Sequence, residues 1–181
     1  MNMTIIKKKE IEVAIKSALE QFALEIDVSH YYTEETLRYL VVTQLSKLKE
    51  YGTLPNRFKT KPQLSCQYTY KQTRSEESKE WKPDIISAIW NKDGEIVDPI
   101  LAVELKINNS DRDFVKCMHY VNERIGEHSF KLAIMINILS EFRFDQDLYK
   151  KKFKSRSEGK VYWCTLGRTN TGKPRIVGKW F

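Results

Sequence analysis

Residues 83–107, PDIISAIWNKDGEIVDPILAVELKI, contain two apolar runs of strand length, over 85–90 and 100–107, separated by a polar turn. Within that turn, the dipeptide Asp93-Gly94 supplies the positive φ angle that tight hairpins require. The second run is apolar without alternation, which is typical of a central strand covered on both faces. This stretch therefore predicts a β-hairpin whose second strand is buried in a sheet.

Charged residues lie on this hairpin at positions that a buried sheet would normally exclude. Asp84 precedes the first strand, and Glu104 and Lys106 lie two residues apart on the second. Alternate residues of a strand share a face, so Glu104 and Lys106 point the same way. An ordinary salt bridge on a solvent-facing strand is the alternative, but the neighbouring residues are apolar. Because an uncompensated buried charge is costly, we interpret the three residues as a functional site.

Two carboxylates and an ammonium on neighbouring strands have the chemistry of a metal-dependent hydrolytic site. Mg²⁺ prefers oxygen ligands and keeps several waters. Asp84, Glu104 and the backbone carbonyl of Leu105 could supply such oxygens. A bound metal activates water and polarises a phosphoryl oxygen, while Lys106 could orient that water or offset transition-state charge. The residues therefore predict phosphodiester hydrolysis.

The other periodicities predict an α/β layered domain around a mixed sheet. Thr33 is a good N-cap for the second helix. The predicted elements are helices over about 7–25, 33–51, 111–125 and 141–153, strands over about 64–70, 131–139 and 161–166, an edge strand in the tail 172–181, a break over 27–32, and loops over 52–62 and 71–82.

Pro83-Asp84 followed by Glu104-Leu105-Lys106 resembles the PD-(D/E)xK motif of the restriction-endonuclease-like nucleases. The core of that family has the order αβββαβ, and the predicted elements follow this order over about 33–139. The resemblance implies a restriction-endonuclease-like core, a mixed central β-sheet flanked by helices, with an extra N-terminal helix and C-terminal strands. It also implies a Mg²⁺-dependent DNA endonuclease in a bacterial or phage setting, with Mn²⁺ as a possible substitute.

Many members of that family place a glutamate on the first core helix, near the metal. Glu34 and Glu35 are the candidates here. Glu34 is favoured as a further metal ligand because it shares the inward stripe of Leu37, Val41, Leu45 and Leu48. Both glutamates could instead simply complement the helix dipole, so that alternative stays open.

The net charge of +7 is concentrated near the end of the chain, since residues 141–181 carry 11 Lys and Arg against four Asp and Glu. Five of these cations lie within seven residues: Lys150, Lys151, Lys152, Lys154 and Arg156. Such a cluster favours contacts with nucleic-acid phosphates, and at a helix C-terminus it would also complement the dipole. Lys116 is a further candidate contact, and four more residues extend the basic surface: Arg168, Lys173, Arg175 and Lys179.

The length of 181 residues suits one domain over 1–181, with a core at about 33–139 and a basic extension at about 141–181. No apolar run approaches the length of a membrane span, so we expect no membrane association. Three widely spaced cysteines and the lack of a signal sequence favour a reducing, cytoplasmic compartment. We expect DNA as the partner and a homodimer for double-strand cleavage. Two alternatives stay open: a non-cleaving nucleic-acid-binding or complex-forming subunit, and a nuclease acting on RNA or branched DNA.

Overall fold

A computed structural model describes residues 7–29, 33–48, 58–62, 70–71, 80–107, 111–122, 129–139 and 158–181, without the side chains of 27–29, 70–71, 80–81 and 111–113. The helices are α1 (Lys8–Ser29), α2 (Glu34–Lys47) and α3 (Asp111–Asn122). The strands are β1 (Phe58–Pro62), β2 (Tyr70–Lys71), β3 (Glu80–Trp81), β4 (Ile85–Trp90), β5 (Ile96–Ile107), β6 (Leu132–Ile138), β7 (Val161–Arg168) and β8 (Pro174–Trp180).

Six of the strands form one mixed sheet in the order β1-β4-β5-β6-β7-β8. The β5–β6 and β6–β7 pairs are parallel, and the other pairs are antiparallel. Strands β2 and β3 form a separate two-stranded ribbon. The predicted fold class is confirmed: the order α2, β1, β4, β5, α3, β6 is αβββαβ, with α1 added before it and β7 and β8 after it.

The helices cover the sheet on both faces, with α1 and α2 on one side and α3 on the other. On β5, Leu101, Val103 and Leu105 pack under α1 and α2. The residues between them therefore face α3, and Ala102 belongs to the core on that side. Two covered faces explain why the run 100–107 is apolar without alternation. None of the described helices combines the length and the apolar composition of a membrane span.

Two local sequence signals coincide with the start of α2 and with the turn between β4 and β5. The Thr33 side chain accepts a hydrogen bond from the backbone N–H of Thr36 at 3.2 Å, so the predicted N-cap of α2 is confirmed. In the β4–β5 turn, Gly94 has φ 85°, and Asn91 N–H donates to the Glu95 carbonyl at 2.9 Å. The predicted hairpin is therefore confirmed as well.

Several predicted boundaries were wrong. The predicted loop over 71–82 contains strand residues, because Lys71 and Glu80–Trp81 belong to the β2–β3 ribbon. Residues 58–62 form edge strand β1 rather than a loop, because pairing with β4 and a 2.9 Å hydroxyl contact between Thr60 and Ser87 stabilise an otherwise polar strand. Helix α1 continues to Ser29 instead of breaking at 27. Strand β5 starts at Ile96 because it pairs with the whole length of β4. The predicted helix over 141–153 lies outside the described residues, and so does the predicted strand over 64–70 except for Tyr70, which belongs to β2.

Burial of the Cys164 thiol predicts a loss of stability in alkali. Burial raises the pKa of Cys164 to about 12, whereas an unfolded cysteine ionises near a pKa of about 8.5. Between these values the unfolded chain loses a proton that the native state keeps, so stability falls by about 1.4 kcal/mol per pH unit. We expect Cys164→Ala to show a shallower decline in urea titrations from about pH 9 upwards. Leu166→Ala, which leaves a cavity on the same strand and face, is the control. Equal slopes of stability against pH for Cys164→Ala and wild type would contradict the prediction.

Candidate functional site

Asp84 and Glu104 lie side by side, where β4 begins and β5 approaches its C-terminal end. Ile85 on β4 pairs with Val103 on β5, so the preceding Asp84 lies next to Glu104 on the antiparallel partner. Their exposed fractions are only 9% and 2%. Two adjacent carboxylates withdrawn from water require positive charge or hydrogen-bond donors nearby.

The carboxylate of Asp84 is held by the backbone of β5. Its Oδ2 accepts a hydrogen bond from the Leu105 N–H at 2.7 Å. The N–H and C=O of one strand residue point towards the same neighbouring strand, so the Leu105 carbonyl also faces the side on which Asp84 lies. This orientation suits the predicted role of the Leu105 carbonyl as a third oxygen ligand.

Helix α3 provides the partners of Glu104. Its Oε1 accepts a hydrogen bond from the Tyr120 hydroxyl at 2.5 Å, and its Oε2 lies 3.5 Å from the Lys116 ammonium. Burial, followed by the nearby negative charge of Glu104, raises the pKa of Tyr120, so the hydroxyl stays a donor. Burial lowers the pKa of the neighbouring His119. Our sequence interpretation missed Tyr120, although its four-residue spacing from Lys116 is a usable signal because such residues share a helix face.

Lys106 lies on the α3 face of β5, two residues beyond Glu104. Its register neighbours across the sheet are Asn137 on β6 and Thr165 on β7, which are both buried. The three positions form a row across the parallel strands β5, β6 and β7. Within this row, Thr165 accepts a hydrogen bond from the Trp163 indole N–H at 3.0 Å. Within the described part of the chain, the Lys106 ammonium forms no ion pair with a carboxylate.

Arg38 connects Glu34 to Asp84 by contacting both carboxylates. The sequence interpretation did not select Arg38. One guanidinium nitrogen of Arg38 lies 3.1 Å from Glu34 Oε1 and 3.5 Å from Asp84 Oδ1. Glu35, the other candidate, is exposed to solvent. The available signal was the spacing, because Arg38 lies four residues after Glu34 and three before Val41 of the inward stripe.

The oxygen-rich donor set fits Mg²⁺, which typically binds through one or two carboxylates and keeps its remaining waters. Each carboxylate has about four lone-pair sites, more than the contacts described for Asp84 use. Arg38 lies beside Asp84, and its buried Nε has no hydrogen-bond partner among the described residues. No group of three or more His, Cys, Asp and Glu that could hold a metal occurs in the described part of the chain. A metal here would therefore rely on Asp84, Glu104, the Leu105 carbonyl and water rather than on a cage of side chains.

The predicted basic surface is described only in part. The cluster Lys150, Lys151, Lys152, Lys154 and Arg156 lies outside the described residues. Because β5, β6 and β7 are parallel, their C-terminal ends share one end of the sheet, where Glu104 and Lys106 also lie. The turn from β7 to β8 is at this end and carries exposed Lys173, and exposed Arg175 follows at the start of β8.

Comparisons with known proteins add a distant likeness in fold. No protein-family model matches the chain, and no curated protein matches its sequence. Among solved structures, the chain is similar to NucC of E. coli MS115-1 in its cAAA-bound form, at 9% identity and a TM-score of 0.40. The match covers 99% of this chain and 86% of the NucC chain. A likeness of this degree says nothing about shared chemistry.

Proposed function

We propose that this protein is a Mg²⁺-dependent DNA endonuclease of the restriction-endonuclease-like family, with Mn²⁺ able to replace Mg²⁺. One observation carries the proposal: two buried carboxylates lie side by side, Asp84 just before β4 and Glu104 on β5, and Lys106 follows on the same face as Glu104. A purely structural role would not require two adjacent buried carboxylates, because burial of charge is unfavourable.

In this proposal Asp84, Glu104 and the Leu105 carbonyl hold the metal, with Glu34 as a further ligand. When bound, the metal would lower the pKa of a coordinated water and polarise the phosphoryl group. The Leu105 N–H and the Tyr120 hydroxyl fix the orientation of the two carboxylates. Such hydrogen bonds from surrounding groups commonly tune both the geometry and the affinity of a metal site.

Lys106 is the residue proposed to act on the attacking water. Its ammonium shares a face with Glu104 and is in no ion pair among the described residues. It can therefore donate hydrogen bonds to a water or offset negative charge that develops on the phosphate. Lys116 is already close to Glu104, so we assign it first to that carboxylate and only second to DNA.

The proposed DNA contacts come from the basic C-terminal part of the chain. Lys173 and Arg175 lie at the same end of the sheet as the carboxylates, and the cluster over 150–156 adds five cations in sequence. Contacts of this kind predict affinity that falls steeply with salt. We further propose a homodimer, so that two sites meet two strands, and a cytoplasmic location.

A cleavage panel tests the proposal. Wild type, Asp84→Ala and Lys106→Ala would be incubated with supercoiled, linear, branched and single-stranded DNA and with RNA, with Mg²⁺, with Mn²⁺ or with a chelator. We expect wild type to cut duplex DNA only with metal and each variant to lose at least about 10²-fold in rate. Equal activity of all three proteins would exclude this site, and preferential cleavage of RNA or branched DNA would reassign the substrate.

The second candidate is a nucleic-acid-binding or complex-forming subunit that does not cut. It is favoured by the ion pairs of Arg38 with Asp84 and of Lys116 with Glu104, which already compensate both carboxylates without a metal. This candidate predicts salt-sensitive DNA binding that is unchanged by a chelator, and no cleavage in any arm of the panel.

A further inference from the structure

Arg38 occupies the space between Glu34 and Asp84. Its side chain is 19% exposed, and the same guanidinium nitrogen faces both carboxylates. The longer of the two distances, 3.5 Å to Asp84 Oδ1, exceeds that of a well-formed charge-assisted hydrogen bond. On the same guanidinium, Nε is buried and has no partner among the described residues. Arg38 is therefore close to the carboxylates without satisfying its full set of donors.

The charges around the site balance without a metal. Arg38 lies beside Glu34 and Asp84, Lys116 lies beside Glu104, and Lys106 follows Glu104 on the same face of β5. A divalent ion would add two positive charges at the position that Arg38 now approaches. Like charges in a partly buried site repel each other strongly, so the ion and the guanidinium compete for Asp84.

We propose that Arg38 is a displaceable counter-ion: it neutralises Glu34 and Asp84 in the metal-free protein, and it would turn to the substrate phosphate when a divalent ion is bound. This inference rests on the proposed function. The guanidinium fork presents parallel donors that match a phosphate. Its Nε edge, which lacks a partner among the described residues, supplies one of these donors. The move would also release Glu34, which could then join the metal ligands.

Metal affinity in the absence of DNA tests the first half of the exchange. Mn²⁺ binding would be measured by calorimetry on wild type, Arg38→Gln and Arg38→Lys. Arg38→Gln removes the competing charge, so its dissociation constant for Mn²⁺ is expected to fall about fivefold. Arg38→Lys keeps the charge and should stay near wild type. Lys16→Gln, which breaks an exposed ion pair with Glu20 at the same four-residue spacing, is the matched control and should change nothing.

DNA affinity with and without metal tests the second half. In a Lys106→Ala background, which removes the group proposed to act on water, duplex binding would be compared between Arg38 and Arg38→Gln. With saturating Mn²⁺ we expect Arg38→Gln to weaken binding about tenfold. Without metal the guanidinium is engaged by the carboxylates, so the same substitution should have little effect.

The outcomes separate this inference from the proposed function. If wild type binds Mn²⁺ but Arg38→Gln binds it equally or more weakly, while urea unfolding shows the variant folded, the counter-ion role is overturned and the nuclease proposal stands. A loss of DNA affinity that is the same with and without Mn²⁺ would make Arg38 an ordinary DNA contact and would overturn the exchange. If wild type binds no divalent ion at all, both proposals fall.

Discussion

Replacement of Glu104 by glutamine is expected to lower the rate of Mg²⁺-dependent DNA cleavage by about 10²- to 10³-fold. Glutamine keeps the size of the side chain and can still accept the hydrogen bond that Tyr120 now donates to Glu104. It removes the negative charge that a hard divalent cation requires. The loss should therefore appear in metal-dependent chemistry and not in folding.

Single-turnover cleavage across a series of Mg²⁺ concentrations would measure this effect. We expect both a lower maximal rate and a higher Mg²⁺ concentration at half-maximal rate. Glu35→Gln is the matched control, because Glu35 is an exposed glutamate on α2 that contacts none of the site residues described. If folded Glu104→Gln cleaves at the wild-type rate, Glu104 is not a metal ligand. A comparable loss of rate in Glu35→Gln would instead indicate a general effect of charge.

Trp163→Ala is expected to lower the free energy of unfolding by about 3–5 kcal/mol. Trp163 is 1% exposed, and its ring centroid lies 5.0 Å from that of Phe114 and 6.3 Å from that of Phe181. Phe114 belongs to α3, the helix that presents Lys116 and Tyr120 to Glu104. Removal of the indole would therefore leave a cavity beneath the helix that holds the site together.

Urea unfolding at neutral pH would measure the loss, which is a large part of the total of about 5–15 kcal/mol that domains typically have. Tyr39→Ala is the control: it also removes an aromatic ring, but Tyr39 is 70% exposed, and a change within about 0.5 kcal/mol is expected. A loss below about 1 kcal/mol for Trp163→Ala would show that the core under α3 refills the space, which would contradict the packing described here.

The hairpin part of the site was predictable because its geometry is local. Asp84 and Glu104 are twenty residues apart, but a tight turn at Gly94 folds their strands together. Strand alternation then puts Lys106 on the same face as Glu104. Both inferences need only short-range rules, which is why they could be made from the residues alone.

The side chains that pair with the two carboxylates were not predictable in the same way. Arg38 comes from α2 and approaches Asp84 across forty-six positions of sequence, and Tyr120 comes from α3 on the opposite face of the sheet. Which helix residue reaches a strand end depends on how the helix packs on the sheet. Periodicity indicates the inward stripe of a helix but not its position along the strands below it.

Edge strand β1 is a second feature that depends on long-range contacts and not on a local sequence pattern. Phe58–Pro62 alternates too weakly and contains too many lysines to indicate a strand, but β4 offers it a complete hydrogen-bonding edge. Its pairing also covers the outer side of β4, with Lys61 over the Trp90 ring at 4.0 Å. The stabilising contacts belong to the partner strand, so no local pattern contained them.

Short-range sequence patterns thus sufficed to predict the α/β class, the β4–β5 hairpin, the neighbouring positions of Asp84 and Glu104, and the shared face of Glu104 and Lys106. Backbone propensities, turn chemistry and the two-residue period of a strand act over a few neighbours, and each is written in consecutive residues. The surroundings of the carboxylates depend on long-range packing instead. Helices from both faces bring Arg38, Lys116 and Tyr120 to them, because two buried charges need more compensation than the Leu105 N–H of β5 provides.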